Sequence, residues 1–209
     1  MINGILGYIL YVDQYIGPLI QNYGLFIYPL FFLIIFMETG FVITPFLPGD
    51  SLLFVAGTFA ATGALNLSFL LIIFTLAAIL GDSVNYWLGS YFGTRFFSKY
   101  INKKYLDKTR DFYDRHGPKT IIIARFIPII RSFAPFVAGI GKMRYSRFFI
   151  YNVIGGIAWV LVFVFAGYFF GSIPLIKDNL TIAIIAVIIL SFVPAIIEYI
   201  KYRRASPPL

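Results

Sequence analysis

Six apolar runs divide the chain, at residues 24–37, 52–65, 69–80, 120–130, 148–171 and 179–200. Several approach the roughly 20 residues that a helix needs to span hydrocarbon. Alternating ten-residue strands, the mark of a membrane barrel, are absent. Charged residues make up only 12% of the chain, whereas a soluble domain carries about a quarter, so this sequence cannot cover a water-facing surface. It reads as an all-α integral membrane protein, a helical bundle with one domain over residues 24–200.

The formal charge is +8, but its placement argues against nucleic acid. Residues 1–94 contain no Lys or Arg, and basic residues then cluster in 95–119, 142–147 and 201–204. Short basic loops between apolar segments mark the cytoplasmic side and meet anionic lipid headgroups there. The loop 94–119 is expected to hold a surface amphipathic helix, and 201–209 to be a basic cytoplasmic tail. Residues 1–23 hold one acid, Asp13, and no base. They suit an interfacial helix, and no removable signal peptide is expected. With no cysteine and one histidine, His116, no metal site and no cofactor are expected.

Residues 120–141 are flanked by basic loops on both sides, so they are expected to enter and leave the membrane on one face. The arm Thr120–Ile130 would reach roughly 16 Å as a helix, about half the hydrocarbon thickness. Pro128 and Pro135 lie near its tip and are expected to break helix there. The first half repeats the pattern around Pro45, Pro48 and Gly49. The expected architecture is two opposed re-entrant hairpins from an inverted repeat, with repeat one at 24–93, repeat two at 120–171 and a last helix at 179–200. Two matches support the repeat: Phe54-Val55-Ala56-Gly57 recurs as Phe136-Val137-Ala138-Gly139, and Gly89-Ser90-Tyr91-Phe92-Gly93 resembles Gly167-Tyr168-Phe169-Phe170-Gly171. Paired broken helices in two halves point to a transport site near the midplane.

Four ionisable residues fall in the broken segments: Glu38, Asp50, Arg125 and Arg131. Unpaired at the membrane centre, each costs roughly 2.5–3.5 kcal/mol, so they must pair, be hydrated or be neutralised. One reading is two ion pairs that hold the hairpins together. The other gives the arginines to a lipid phosphate, whose oxygens match the planar guanidinium fork, and the carboxylates to proton exchange. Asp82, Asn85 and Asn152 are expected to form interhelical hydrogen bonds. Gly81, Gly155 and Gly156 are expected to permit close packing, and Trp87 and Trp159 to be packing or interfacial residues. No phosphate-cradling loop or nucleophile elbow is present, which argues against an enzyme.

The segments Glu38-Thr39-Gly40 and Pro45-Phe46-Leu47-Pro48-Gly49-Asp50-Ser51-Leu52-Leu53 resemble the first signature of the DedA family, within the SNARE-associated or VTT group. Gly81-Asp82-Ser83-Val84-Asn85-Tyr86 is similar to the second. Phe112-Tyr113, His116-Gly117, Ala124-Arg125-Phe126-Ile127-Pro128 and Arg131 resemble the third, and Ala138-Gly139, Met143, Asn152, Gly155 and Trp159 continue the match. The resemblance implies a bacterial inner-membrane transporter, linked to proton-motive force and envelope integrity. Its expected cargo is a polyprenyl phosphate, undecaprenyl phosphate above all, or a phospholipid such as phosphatidylethanolamine. It also implies that the residues at Glu38, Asp50, Arg125 and Arg131 are essential. A proton-coupled exporter of small cations or drugs, a lipid-phosphate enzyme and a structural envelope protein are the rival classes; a homodimer is compatible with all of them.

This topology places the loop 95–119 and the loop 142–147 on the same side. Cysteines introduced at Lys103 and Lys142 should both resist an impermeant external thiol reagent in intact cells. External labelling of either would sink the re-entrant reading of 120–141.

Overall fold

The computed structural model describes residues 24–41, 49–93, 119–170 and 173. The interfacial helix expected at 1–23, the breaks at Pro45 and Pro48, the amphipathic loop, the last helix at 179–200 and the basic tail lie outside the described residues. Within them the chain is helical, with no strand. After a short 3₁₀ turn at Gly24–Phe26 come α1 (Ile27–Gly40), α2 (Gly49–Ala61) and α3 (Leu67–Leu88), the last running into a π-turn at Gly89–Gly93. The second half contains α4 (Lys119–Ala124), α5 (Pro128–Ile140) and α6 (Tyr145–Phe170).

Two segments, Leu67–Tyr91 with 25 residues and Tyr145–Phe170 with 26, are long and apolar enough to cross a membrane. Their outer faces expose Ile72, Leu76 and Leu80 on α3, and Ile150, Ile154, Ile157 and Leu161 on α6. These recur at three- and four-residue spacing, so each helix presents a continuous apolar stripe. Water would penalise such stripes; lipid does not. The interior shows the converse, since Glu38, Asp82, Asn85, Arg125, Ser132 and Asn152 are all buried.

Local sequence explains the helix ends. Asn66 caps α3 by accepting from the Phe69 N–H at 3.0 Å, a side-chain acceptor for an otherwise orphan donor. The turn before it is pinned by the Asn66 N–H donating to the Tyr28 hydroxyl at 2.8 Å. Pro128 opens α5 at its first position, where a missing N–H is tolerated. The residues before it, Arg125 to Ile127, leave the helix, so the arm expected as eleven helical residues is a helix of six followed by a turn.

Pro135 corrects an expectation: it lies inside α5 and does not break it. Pro135 leaves the Arg131 carbonyl, four residues back, without its helical donor, and the packing of α5 along α3 holds the helix through that position. The Asn85 amide also donates to the Ser132 carbonyl at 2.7 Å, in the turn that precedes the proline.

The helices gather into two groups, each made from both halves of the sequence. α1 and α5 pack on α3, while α2 and α4 pack on α6, and α3 meets α6 where the groups join. The closest approaches use the repeated motifs. A Cβ on Gly57 would collide with the Val164 carbonyl, and one on Gly167 with the Phe54 carbonyl. In the other group, a Cβ on Gly139 would meet the Tyr86 carbonyl, and one on Gly89 the Phe136 carbonyl. Each Phe-Val-Ala-Gly copy thus docks backbone-to-backbone on the long helix of the opposite half. The Thr58 hydroxyl adds a bond to the Gly167 carbonyl at 3.2 Å.

Gly57→Val and Gly139→Val should each destabilise the folded protein by about 1–3 kcal/mol, the usual range for overpacking. Thermal unfolding in detergent, followed by size-exclusion, measures it, with Leu76→Ile on the exposed stripe as control. Wild-type stability in both glycine variants would contradict the close docking.

Candidate functional site: a buried charge cluster

Where the two helix groups join, five ionisable side chains meet. Glu38 lies in the last turn of α1, followed by the buried Thr39 and Gly40. Asp50 stands in the first turn of α2, where the exposed N–H groups of the helix favour an anion. Asp82 comes from the middle of α3. Arg125 occupies the turn after α4, and Arg131 lies in the first turns of α5.

Arg131 is held by two carboxylates: Nη1 donates to Asp50 Oδ1 at 2.5 Å, and Nη2 donates to Glu38 Oε1. Its guanidinium carbon also lies 4.8 Å from the centre of the Trp159 ring, within range of a cation–π interaction. Arg125 pairs with Asp82 through Nη2, and the same nitrogen donates to Asn152 Oδ1 at 2.6 Å. Asn152 is fixed in turn by its amide donating to the Ile79 carbonyl at 3.1 Å. The Trp159 indole N–H donates to Asp50 Oδ1 at 2.9 Å.

Two glycines make room for these charges. The Gly49 N–H donates to Glu38 Oε1 at 3.3 Å, and any side chain at Gly49 would overlap the Glu38 carboxyl group. Gly49 is thus both the start of α2 and a wall of the site. Gly156 similarly faces the Arg125 guanidinium. Asn85 joins the rims, its amide donating to the Thr39 carbonyl at 3.1 Å as well as to Ser132.

The pairing crosses the seam between the helix groups. Glu38, Asp82 and Arg131 belong to the α1–α3–α5 group; Asp50, Arg125, Asn152 and Trp159 stand on the α2–α4–α6 side. Arg131–Asp50 and Arg125–Asp82 are therefore cross-seam ion pairs. Beside them is a cavity of about 10 Å³ lined by Thr39, Asp82, Arg125, Arg131 and Trp159, at the threshold for a single water. Among the described residues, Glu38 Oε2 and Arg125 Nη1 are buried with no hydrogen-bond partner. Both are unused valences in the cluster. No cluster of three or more His, Cys, Asp or Glu among the described residues is placed to hold a metal.

All four charged residues singled out in the sequence, Glu38, Asp50, Arg125 and Arg131, come together. Asp82, read there as a hydrogen-bonding residue, is a fifth charge and the ion-pair partner of Arg125. Trp159, read as a packing residue, is almost fully buried and touches both Asp50 and Arg131. Periodicity gave no sign of either role. Trp87 differs: it is 57% exposed on the outer face of α3.

The VTT domain family matches residues 47–169. The protein named DedA from Escherichia coli K12 is 50% identical, over 99% of this chain and 97% of its own length. An uncharacterised membrane protein of Mycobacterium tuberculosis is 36% identical over 88% of this chain and 83% of its own. The inner membrane protein YqjA of E. coli K12 is 33% identical over 71% and 69%. No solved structure matches significantly. The family match over residues 47–169 and the identity to these relatives show it: the chain belongs to the DedA family of VTT-domain membrane proteins.

Proposed function

We propose that this protein is a lipid-phosphate translocase of the bacterial inner membrane, with undecaprenyl phosphate returned from the outer to the inner leaflet as its cargo. The observation that carries this reading is the pair of buried arginines, each held by carboxylates across the seam between two helix groups. Arginine matches phosphate oxygens bidentately and remains charged when buried. The carboxylates neutralise the guanidinium groups while no anion is present.

Charge counting supports a link to protons. Glu38, Asp50 and Asp82 carry three negative charges when ionised, against two positive charges on Arg125 and Arg131. One added proton makes the cluster neutral, and a second makes it cationic. Anion entry is therefore favoured by proton uptake, in keeping with transport driven by the proton-motive force. Glu38 Oε2, buried without a partner, has room in its bonding for such a proton.

The same count supports a second reading. With all three acids ionised the cluster is net negative, which suits a proton-coupled exporter of small cations. A phospholipid such as phosphatidylethanolamine would use the same arginines through its phosphodiester. We further infer that the two halves form an inverted repeat with two re-entrant hairpins. The reciprocal docking of Gly57 on α6 and Gly139 on α3 supports that reading, as does the helix-turn-helix of α4 and α5.

The test uses farnesyl phosphate as a soluble probe and calorimetry on the detergent-solubilised protein. Arg125→Lys and Arg131→Lys should each weaken binding by roughly tenfold or more, because lysine keeps the charge and loses the fork. Normal binding in both would remove the anion reading. Tight binding of small organic cations at the same site would favour the exporter instead.

A second expectation concerns pH. Binding should tighten as pH falls, because added protons shift the cluster from net negative toward net positive. Glu38→Gln should flatten that dependence. Farnesyl sulfate, whose own charge does not titrate, controls for the probe. Binding that weakens on acidification would contradict carboxylate coupling.

A further inference from the structure

Asp50 stands between two donors on opposite kinds of support. Its Oδ1 accepts from Arg131 Nη1 at 2.5 Å and from the Trp159 indole N–H at 2.9 Å. Arg131 comes from across the seam, whereas Trp159 lies on α6, the helix on which α2 packs. The Trp159–Asp50 bond is therefore internal to one helix group, and the Arg131–Asp50 pair is not. Trp159 itself is buried and fixed, at 1% exposure, with an edge contact to Phe163. Its ring face also carries the Arg131 guanidinium, 4.8 Å from the centroid.

Consider what happens when an anion takes Arg131. Asp50 would lose its cation while its side chain is still largely buried. A buried carboxylate stripped of its partner is costly. The indole N–H remains in place, because it does not belong to the moving side of the pair. While the seam is closed the ring face stays beside Arg131 as well, so the guanidinium can turn toward the anion without losing its apolar support.

We propose that Trp159 is the positioning residue of the anion site, holding Asp50 through its indole N–H while the ring face presents Arg131 to the incoming phosphate. It does not touch the phosphate in this arrangement; it lowers the penalty of releasing Arg131 from Asp50. The proposal rests on the anion-carrier reading above, and its test separates the two.

The first measurement needs no ligand. The chain has two tryptophans, so Trp87→Phe leaves Trp159 as the sole emitter. Adding Arg131→Lys should change the intensity or the maximum of Trp159 emission, because the guanidinium leaves the ring face. Unchanged emission overturns the proposal, whatever the cargo.

The second measurement is farnesyl phosphate binding by calorimetry. Trp159→Phe keeps a ring for packing and removes only the N–H. It should weaken binding by about tenfold, the scale of one hydrogen bond to a charged group, while folded yield stays near wild type. Asp50→Asn should then rescue it. The double variant Trp159→Phe with Asp50→Asn should bind as tightly as Asp50→Asn alone, because no stranded carboxylate is left. A purely structural Trp159 predicts equal losses in both backgrounds, and that result overturns the proposal. If wild-type protein fails to bind the probe while the emission changes as expected, the cargo reading falls and the coupling of Trp159 to Arg131 stands.

Discussion

A charge packed inside a bundle of apolar helices has little water to turn to, and this protein brings five into one small volume. Glu38, Asp50, Asp82, Arg125 and Arg131 offset much of that burial penalty by pairing with one another. The partners are distant in sequence: Asp50 and Arg131 are 81 positions apart, and Glu38 and Arg131 are 93 apart. Bringing them together requires helices from both halves to approach closely, and the glycines meet that requirement. Gly49 leaves space for the Glu38 carboxyl group, and Gly156 leaves space beside Arg125. In a membrane, where burial of apolar surface drives helix association weakly, such small-residue contacts carry much of the packing.

The same electrostatics shape the function. The arginines are occupied by carboxylates, and the cavity beside them is at the threshold for a single water. On the anion-carrier proposal, the carboxylates hold the places that the anion would take. In that proposal, opening the seam would break Arg131–Asp50 and Arg125–Asp82 together, yet would leave Asn152 with Arg125 and Trp159 with Asp50 on one side, and Glu38 with Arg131 on the other. Each side thus keeps part of its bonding, which reduces the penalty of separation.

The sequence made some of this legible and hid the rest. The apolar runs announced α3 and α6, because a span of hydrocarbon demands length and composition that are visible directly. Charged residues in apolar surroundings announced Glu38, Asp50, Arg125 and Arg131, because placing them there needs a reason. Asp82 was visible, but its pairing with Arg125 was not, since contact between α3 and the turn after α4 depends on tertiary packing. Trp159 was hidden more deeply: an aromatic in an apolar helix has the same local signature whether it packs, anchors or donates. Pro135 misled because proline disfavours helix in isolation, whereas here α5 is packed along α3, which also bonds its Ser132 carbonyl through Asn85.

The crosswise docking of the two Phe-Val-Ala-Gly motifs has a consequence for biogenesis. The helix that receives α2 is α6, and residues 62–144 must be synthesised before α6 begins. At the usual 5–20 residues per second, that interval lasts about 4–17 s. During it Gly57 faces no Val164 carbonyl and Asp50 lacks Trp159, while Arg131 is added only near its end. The α5 motif has no such wait, since α3 precedes it in the chain. The first half of the protein is therefore made with three acids of the cluster, Glu38, Asp50 and Asp82, still lacking the arginines that pair with them. Whatever shelters the nascent chain at the insertion site must tolerate those carboxylates until the second half arrives.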